Sequence, residues 1–241
     1  MTIVEQLRKE RKSKKKNGLY RQMQVLMSYH SNKMEGSTCT LEETQLLFDT
    51  SSYGAQEHNN DAIETFNHFR AFDMVLDTYK QRLSEEYIKG LHGILKFSTA
   101  DRNKGYMIGE YKKIPNRVGL IATSRPENVK RDISELLDSY KGIQGKTLQD
   151  ILNFHVKFEQ IHPFQDGNGR IGRLIILKEC FLYKIPPFII SSENNLSYKS
   201  CLFACQSKME DADRKFVEFA KKEQQSFKNL VQKVLSQGEG K

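Results

Sequence analysis

The stretch IHPFQDGNGRIGRL, residues 161–174, crowds a histidine, a carboxylate, two glycines around an asparagine and two arginines into one short run. None of these suits a helix interior or an apolar core, yet apolar segments flank them on both sides. Upstream, LQDILNFHVKFEQI aligns Ile151, Phe154, Phe158 and Ile161 on one helical stripe. Downstream, IGRLIILKECFLY is almost wholly apolar, which predicts a buried central helix. Pro163 stops the first helix just after His162. Gly167, Asn168 and Gly169 tolerate left-handed backbone angles and make a tight turn. The second helix is then expected to start between Asn168 and Arg170.

This arrangement has a chemical consequence. Successive amides in such a turn form an anion-binding nest, and the positive end of the next helix faces the same spot. Arg170 and Arg173 lie in the first turn at i, i+3 spacing, where two cations are unfavourable unless an anion sits between them. Nest, dipole and two guanidinium forks together ask for a polyphosphate. Asp166, just before the nest, is placed to hold Mg²⁺ through one carboxylate and phosphate oxygens. His162 can take a proton from an incoming hydroxyl, since imidazole titrates near neutrality. Phe164 anchors the loop to the core.

Helical periodicity dominates the remainder. Tyr20, Met23, Met27 and His30 predict a helix over about 19–34, and Thr40 with Glu43 forms a capping box. Ile63, Phe66, Phe69, Phe72 and Leu76 make a further stripe, and Ser84 opens another helix with Tyr87, Ile88, Leu91 and Leu95. A proline-led segment follows with Val129, Ile133, Leu136 and Leu137. One segment breaks the pattern: residues 105–122, rich in glycine, β-branched and aromatic residues, read as a β-hairpin. The expected fold is mainly α with one hairpin.

The net charge of +8 comes partly from RKERKSKKK, residues 8–16. That run reads as a solvated, flexible N-terminal arm over residues 1–18. Past residue 20 the charges are mixed, with no basic face interleaved with aromatics, so nucleic acid is not the expected partner. No segment is apolar enough for a signal peptide or a membrane span. Cys39, Cys180, Cys201 and Cys205 show no CxxC pairing and read as core filling, in keeping with a reducing, cytoplasmic setting. His30, His58, His68 and His92 form no zinc pattern. His155, on the same face as His162, reads as a core or capping residue, and Asn67 and His68 as packing residues.

HPFQDGNGRIGR resembles the signature of the Fic family, HxFx(D/E)GNGRxxR, with every specified position matched. The resemblance extends over about 20–225 and leaves 226–241 as helix end and tail. It implies a Fic-type helical bundle with a β-hairpin flap, and transfer of AMP from ATP to a target-protein hydroxyl with release of pyrophosphate. On that reading His162 is the base, Asp166 holds Mg²⁺, Gly167, Asn168 and Gly169 cradle phosphates, and Arg170 and Arg173 bind the β- and γ-phosphates. YKSCLFACQ (198–206) is similar to a family segment YYxxLxxAN, in which Tyr198 and Gln206 would touch the nucleoside. Lys199, Cys205 and Gln206 depart from it. The flap, with Lys113, Ile114, Asn116 and Val118, would dock an extended target segment through backbone bonds and present its Tyr, Thr or Ser hydroxyl.

Far upstream stands SNKMEG, residues 31–36. Glu35 closes the first predicted helix, where the dipole disfavours a carboxylate, and Arg173 is the obvious guanidinium partner. Gly36 reads as its C-capping glycine. The segment is similar to the family's inhibitory pattern (S/T)xxxE(G/N), beginning here at Ser31, which implies a self-inhibited enzyme. The same glutamate fits removal of AMP from a modified target. Phosphate, UMP or phosphocholine transfer on the same fold, a homo-oligomer, and a non-catalytic binding module remain open. Doc-type kinases usually depart from the GNG turn that Gly167 and Gly169 preserve here.

Overall fold

A computed structural model describes residues 2–51, 59–119 and 121–238 of the chain. His58, and Leu120 within the expected hairpin, lie outside the described residues. The helices run α1 (Ile3–Lys12), α2 (Leu19–Lys33), α3 (Leu41–Thr50), α4 (Asn60–Thr78) and α5 (Glu85–Leu95). A short antiparallel pair follows, β1 (Arg117–Val118) with β2 (Ile121–Ala122), then α6 (Val129–Gly142) and α7 (Leu148–Ile161). The chain continues through α8 (Asn168–Leu182), α9 (Asn195–Gln206) and α10 (Ala212–Gly238). Several starts are written in side chains. Thr40 with Glu43 and Thr147 with Asp150 form reciprocal capping boxes, and Ser84 caps α5 through the Tyr87 amide.

The apolar segment after the motif is the central helix. Every residue of α8 from Arg170 to Phe181 is buried, and α7 and α4 pack against it. The main core joins Phe72 and Leu76 of α4, Ile88 and Leu91 of α5, Phe154 and Phe158 of α7, and Ile171, Leu174 and Ile175 of α8. A helix buried on all sides must satisfy its polar residues internally. Lys178 Nζ meets Glu179 Oε1 at 2.8 Å, and the Tyr140 hydroxyl donates to Glu179 Oε2 at 2.9 Å. Among the described residues no helix is long and apolar enough to cross a membrane.

Three expectations are corrected. The basic N-terminal run is a docked helix, because Val4 and Leu7 on its inner face join the main core. Glu10 is buried and accepts the Tyr20 amide at 2.8 Å, while Arg11 pairs with Asp73 and Asp77 of α4. The lysines only line the outer face. At the other end no break follows residue 225, since α10 continues and Phe227 and Val234 enter the same core. The hairpin shrinks to two residues per strand, in register Arg117 with Ala122 and Val118 with Ile121. Residues before it turn at Gly105 and Gly109, both at positive φ; Gly105 and Tyr106 bond back to Arg102 and Asp101, and Lys112 N–H bonds to Pro163 O instead of a sheet.

Candidate active site

His162 ends α7 in the left-handed region (φ 51°, ψ 63°), its N–H bonded to Phe158 O at 2.9 Å. Pro163 bars the helical alternative, and a non-glycine residue held there marks a position fixed by its surroundings. Phe164 is fully buried and stacks on the His92 ring, with centroids 3.9 Å apart. His92 Nδ1 accepts the Gly109 amide at 2.9 Å, so its Nε2 carries the proton and donates to Asp166 O at 3.2 Å. Asn168 closes the turn on itself: Oδ1 accepts the Phe164 amide at 2.8 Å and Nδ2 donates to Phe164 O at 2.9 Å. Gly167, at φ 83°, caps α8 against Leu95, Lys96 and His92.

The segment beside the hairpin straps this loop from its other side. Lys112 N–H donates to Pro163 O at 2.9 Å, and Ser124 N–H to Ile161 O at 3.3 Å. Asn116 Nδ2 donates to Phe164 O at 2.9 Å. The Lys112 ammonium is buried and finds only neutral acceptors: Asn116 Oδ1 at 2.6 Å, Thr123 Oγ1 at 2.9 Å and Ile161 O at 3.3 Å. Burial lowers its pKa to about 8. The Asn116 side chain, on the expected docking flap, thus also supports the loop. Lys113, Ile114 and Val118 are exposed as expected.

The two motif arginines part company. Arg170 is fully buried and ion-pairs with Glu64 of α4 and with Asp166 at 3.0 Å. It also donates to Asn32 Oδ1 at 3.3 Å. Lys96 sits beneath, its Nζ 2.5 Å from Glu64, 2.6 Å from Asp101 and 2.6 Å from Asp166. Arg170, expected to bind a phosphate, has its charge paired inside the protein here. Burial raises the Asp166 pKa, but Arg170 and Lys96 outweigh it and keep the carboxyl well below the usual range. Both cations bind Asp166 Oδ2, and the side chain stays 44% exposed. An ionised, outward-facing carboxylate fits a Mg²⁺ site of the one-carboxylate kind.

Arg173 points the other way. Its Nε donates to Ser31 Oγ at 2.9 Å, and Nη2 donates to Ser31 O at 2.9 Å and Glu35 Oε1 at 2.6 Å. Glu35 follows α2 in a tight turn closed by Gly36 (φ 93°), with Ser37 N–H on Asn32 O at 3.1 Å. Its carboxylate lies so close to Gly169 that a Cβ there would overlap Oε1. An anion thus sits at the N-terminus of α8, supplied by the chain itself. Burial opposes ionisation of Glu35, but Arg173 and Arg170 prevail and lower its pKa.

Glu35, Gly169 and Arg173 line a cavity of about 440 Å³ together with Glu159, His162, Val118 and α9. Its walls include Tyr198, Leu202, Phe203 and Gln206, so the structure brings both nucleoside-contact candidates to the same hollow as His162. Tyr198 is almost fully buried, its hydroxyl 2.6 Å from His155 Nε2, which bears out the core role of His155. Gln206 Nε2 reaches Val156 O at 3.4 Å. Burial, aided by the Lys112 charge, lowers the His162 pKa to about 4, so the imidazole is neutral near pH 7.

With loop, nest and cavity placed, comparison with known proteins is direct: residues 82–180 match the Fic/DOC family model. The chain is 27% identical over 177 residues to the protein adenylyltransferase Fic of Nematostella vectensis, covering 70% of this chain and 40% of that protein. To protein adenylyltransferase fic-1 of Caenorhabditis elegans it is 25% identical over 195 residues, covering 76% and 37%. The chain thus spans about two fifths of the length of these curated relatives. A Fic domain containing signaling protein from Bacteroides thetaiotaomicron superposes with TM-score 0.75 at 24% identity, covering 99% of this chain and 98% of that one. C. elegans Fic-1 (residues 134–508) gives 0.74 at 18% identity, covering 98% and 72%.

Four residues around this site escaped the sequence reading: Glu64, Lys96, Lys112 and Glu159. Glu64 and Lys96 take their links to the motif from far along the chain, at Arg170 and Asp166, and Lys112 reaches Ile161 O, 49 residues on. Glu159 did carry a local signal, standing three residues before His162 on the same helical face.

Proposed function

We propose that this Fic domain transfers AMP from ATP to a Tyr, Thr or Ser hydroxyl of a protein target, and that Glu35 restrains it. The observation that carries the reading is a neutral, buried imidazole sharing one cavity with an anion-binding helix start and an arginine already paired to an acid. His162 would take the hydroxyl proton as that oxygen attacks the α-phosphorus. The new O–P bond forms, the bond to the β-phosphate oxygen breaks, and pyrophosphate leaves. Backbone amides of the GNG turn and Arg173 would hold phosphate oxygens, leaving catalysis chiefly to positioning and charge. Asp166 would hold Mg²⁺, which when bound neutralises phosphate charge. The adenylyltransferase names of the relatives support the same chemistry.

Glu35 overlies Gly169 and occupies Arg173, so a phosphate arriving there must displace it. That competition is the proposed restraint. Because Glu35 faces the same cavity as His162, it also fits orienting a water to remove AMP from a modified target. The test is incubation of wild type, Glu35→Gly and Glu35→Gly/His162→Ala with ATP, UTP, GTP or CTP and Mg²⁺, read by mass spectrometry. An AMP mass gain in Glu35→Gly, lost with His162, is expected. A gain of phosphate, or of UMP in preference, sinks the proposal.

A further inference from the structure

His162 lacks the third group that aims the histidine in many hydroxyl-activating sites. Its Nδ1 has no hydrogen-bond partner among the described residues, and the Glu159 carboxylate stands off at 3.7 Å, beyond hydrogen-bond reach. With nothing on that nitrogen to turn the ring, its place depends on the backbone that carries it. Three carbonyls flank that point, and each is held from the hairpin segment. Ile161 O accepts the Ser124 amide and Lys112 Nζ, both at 3.3 Å. Pro163 O accepts the Lys112 amide at 2.9 Å, and Phe164 O accepts Asn116 Nδ2 at 2.9 Å. The left-handed φ of 51° at His162 is sustained between these anchors.

Three side chains form one clasp at the foot of the hairpin. Lys112 and Asn116 precede β1, and Thr123 follows β2. Lys112 Nζ has three protons and three neutral acceptors: Asn116 Oδ1 at 2.6 Å, Thr123 Oγ1 at 2.9 Å and Ile161 O. The Thr123 hydroxyl in turn donates to Asn116, whose O and Oδ1 lie 2.8 and 2.7 Å away. Lys112 is only 3% exposed, yet every partner it has is uncharged. Packing alone would be met at lower cost by an apolar side chain, without a buried ammonium. The strands themselves contribute two residues each, so the hairpin depends on this foot for its placement. The GNG turn has separate supports, in Asn168 on the Phe164 amide and in His92 on Asp166 O.

We propose that the clasp of Lys112, Asn116 and Thr123 is the positioning element for His162, fixing the imidazole relative to the hairpin on which a target segment docks. Docking and the role of His162 as base rest on the function proposed above; the hydrogen bonds of the clasp do not. Hairpin and base then move as one unit, and a segment paired with the hairpin meets the imidazole at a set distance. None of the three side chains lines the cavity, and none gives or takes a proton in the transfer. They act through the backbone of residues 161–164. Because the GNG turn is supported separately, base placement and nucleotide binding can be told apart.

Thr123→Val tests this best, since it removes the hydroxyl while keeping the side chain's shape and the Lys112 charge. Thr123→Ser restores the hydroxyl. In the Glu35→Gly background, labelling with AMP at saturating ATP should slow on the order of tenfold in Thr123→Val and return to within about twofold in Thr123→Ser. ATP affinity, measured by calorimetry, should stay within about twofold in both. Equal rates for the valine and serine variants overturn the proposal, as does an ATP affinity that weakens in step with the rate. A second readout needs no activity: NMR of the His162 ring with isotope-labelled histidine, the signal assigned by its loss in His162→Ala. That signal should shift or broaden in Thr123→Val and recover in Thr123→Ser, while the His30 signal from α2 stays in place. A His162 signal that does not move overturns the proposal too. If no variant transfers AMP, the proposed activity fails while the ring signal still decides the clasp.

Discussion

Arg170 and Arg173 stand one helical turn apart on α8, and their surroundings differ in kind. Arg170 is enclosed with Glu64, Asp166 and Asn32 in a network that also holds Lys96 and Asp101. Arg173 is equally buried, but its acid partner is 33% exposed and lines the cavity. Glu64, the acid that joins Asp166 on Arg170, is only 12% exposed, so Arg170 cannot exchange it without leaving a charge stranded in low dielectric. An arginine whose acid faces an open hollow can trade it for another anion. The same residue type at one spacing is thus held by a buried acid in one case and by an acid on a cavity wall in the other.

Breaking the enclosed network should cost most. Arg170→Met or Lys96→Met should lose about 3–5 kcal/mol in chemical denaturation, because each strands buried carboxylates. Arg173→Met should lose less, about 1–2 kcal/mol, since Glu35 can turn to water and only the Ser31 bonds go unpaired. Equal losses at the two arginines would erase the distinction between them. Glu35→Gly should change stability by no more than about 1 kcal/mol, the usual range for a partly exposed pair, while raising AMP transfer.

The smallest effect separates the two regions by pH. Glu35 has its pKa lowered below the ordinary 4.5, so its pairing with Arg173 is present above that value and is lost only as pH falls beneath it. The ratio of Glu35→Gly to wild-type activity attributable to that pair should therefore hold steady between about pH 6 and 7. Stability has its own profile. His68, His92 and His155 are pushed down to about 3 and His162 to about 4 by burial. The unfolded chain binds their protons first, so stability should fall as pH drops below the ordinary histidine value of 6.5. Glu159, raised to about 8, opposes this by favouring the folded state in acid. Glu159→Gln should accordingly gain stability relative to wild type as pH rises from 4.5 towards 8, measured by denaturation at several pH values.

Much of the architecture was legible beforehand because its causes are local. The capping boxes at Thr40 and Thr147, the stop at Pro163 and the apolar run of α8 each depend on residues within a few positions. The partnership of Glu35 with Arg173 was legible for a different reason: a carboxylate misplaced at a helix end and a guanidinium misplaced at a helix start each call for the other. The N-terminal arm was misread because its charge count hid two apolar residues on one face, Val4 and Leu7. The hairpin was overextended because strand composition cannot reveal that Lys112 and Asn116 bond to a loop some 50 residues on.

From the sequence alone came the mainly helical class, the loop between two buried helices, and the set of groups able to act on a phosphate. Those follow from periodicity, backbone restriction and charge type, which act over a turn or two. Only the tertiary structure decided where each charge is spent. Glu64, 106 residues upstream, claims Arg170 for the interior, and Glu35 lies across Gly169 at the helix start. Glu159 stands beside His162 with its Oε1 unpaired among the described residues. Spacing along a helix chooses a face, but the neighbours packed on that face choose the partner, and they arrive from the whole length of the chain.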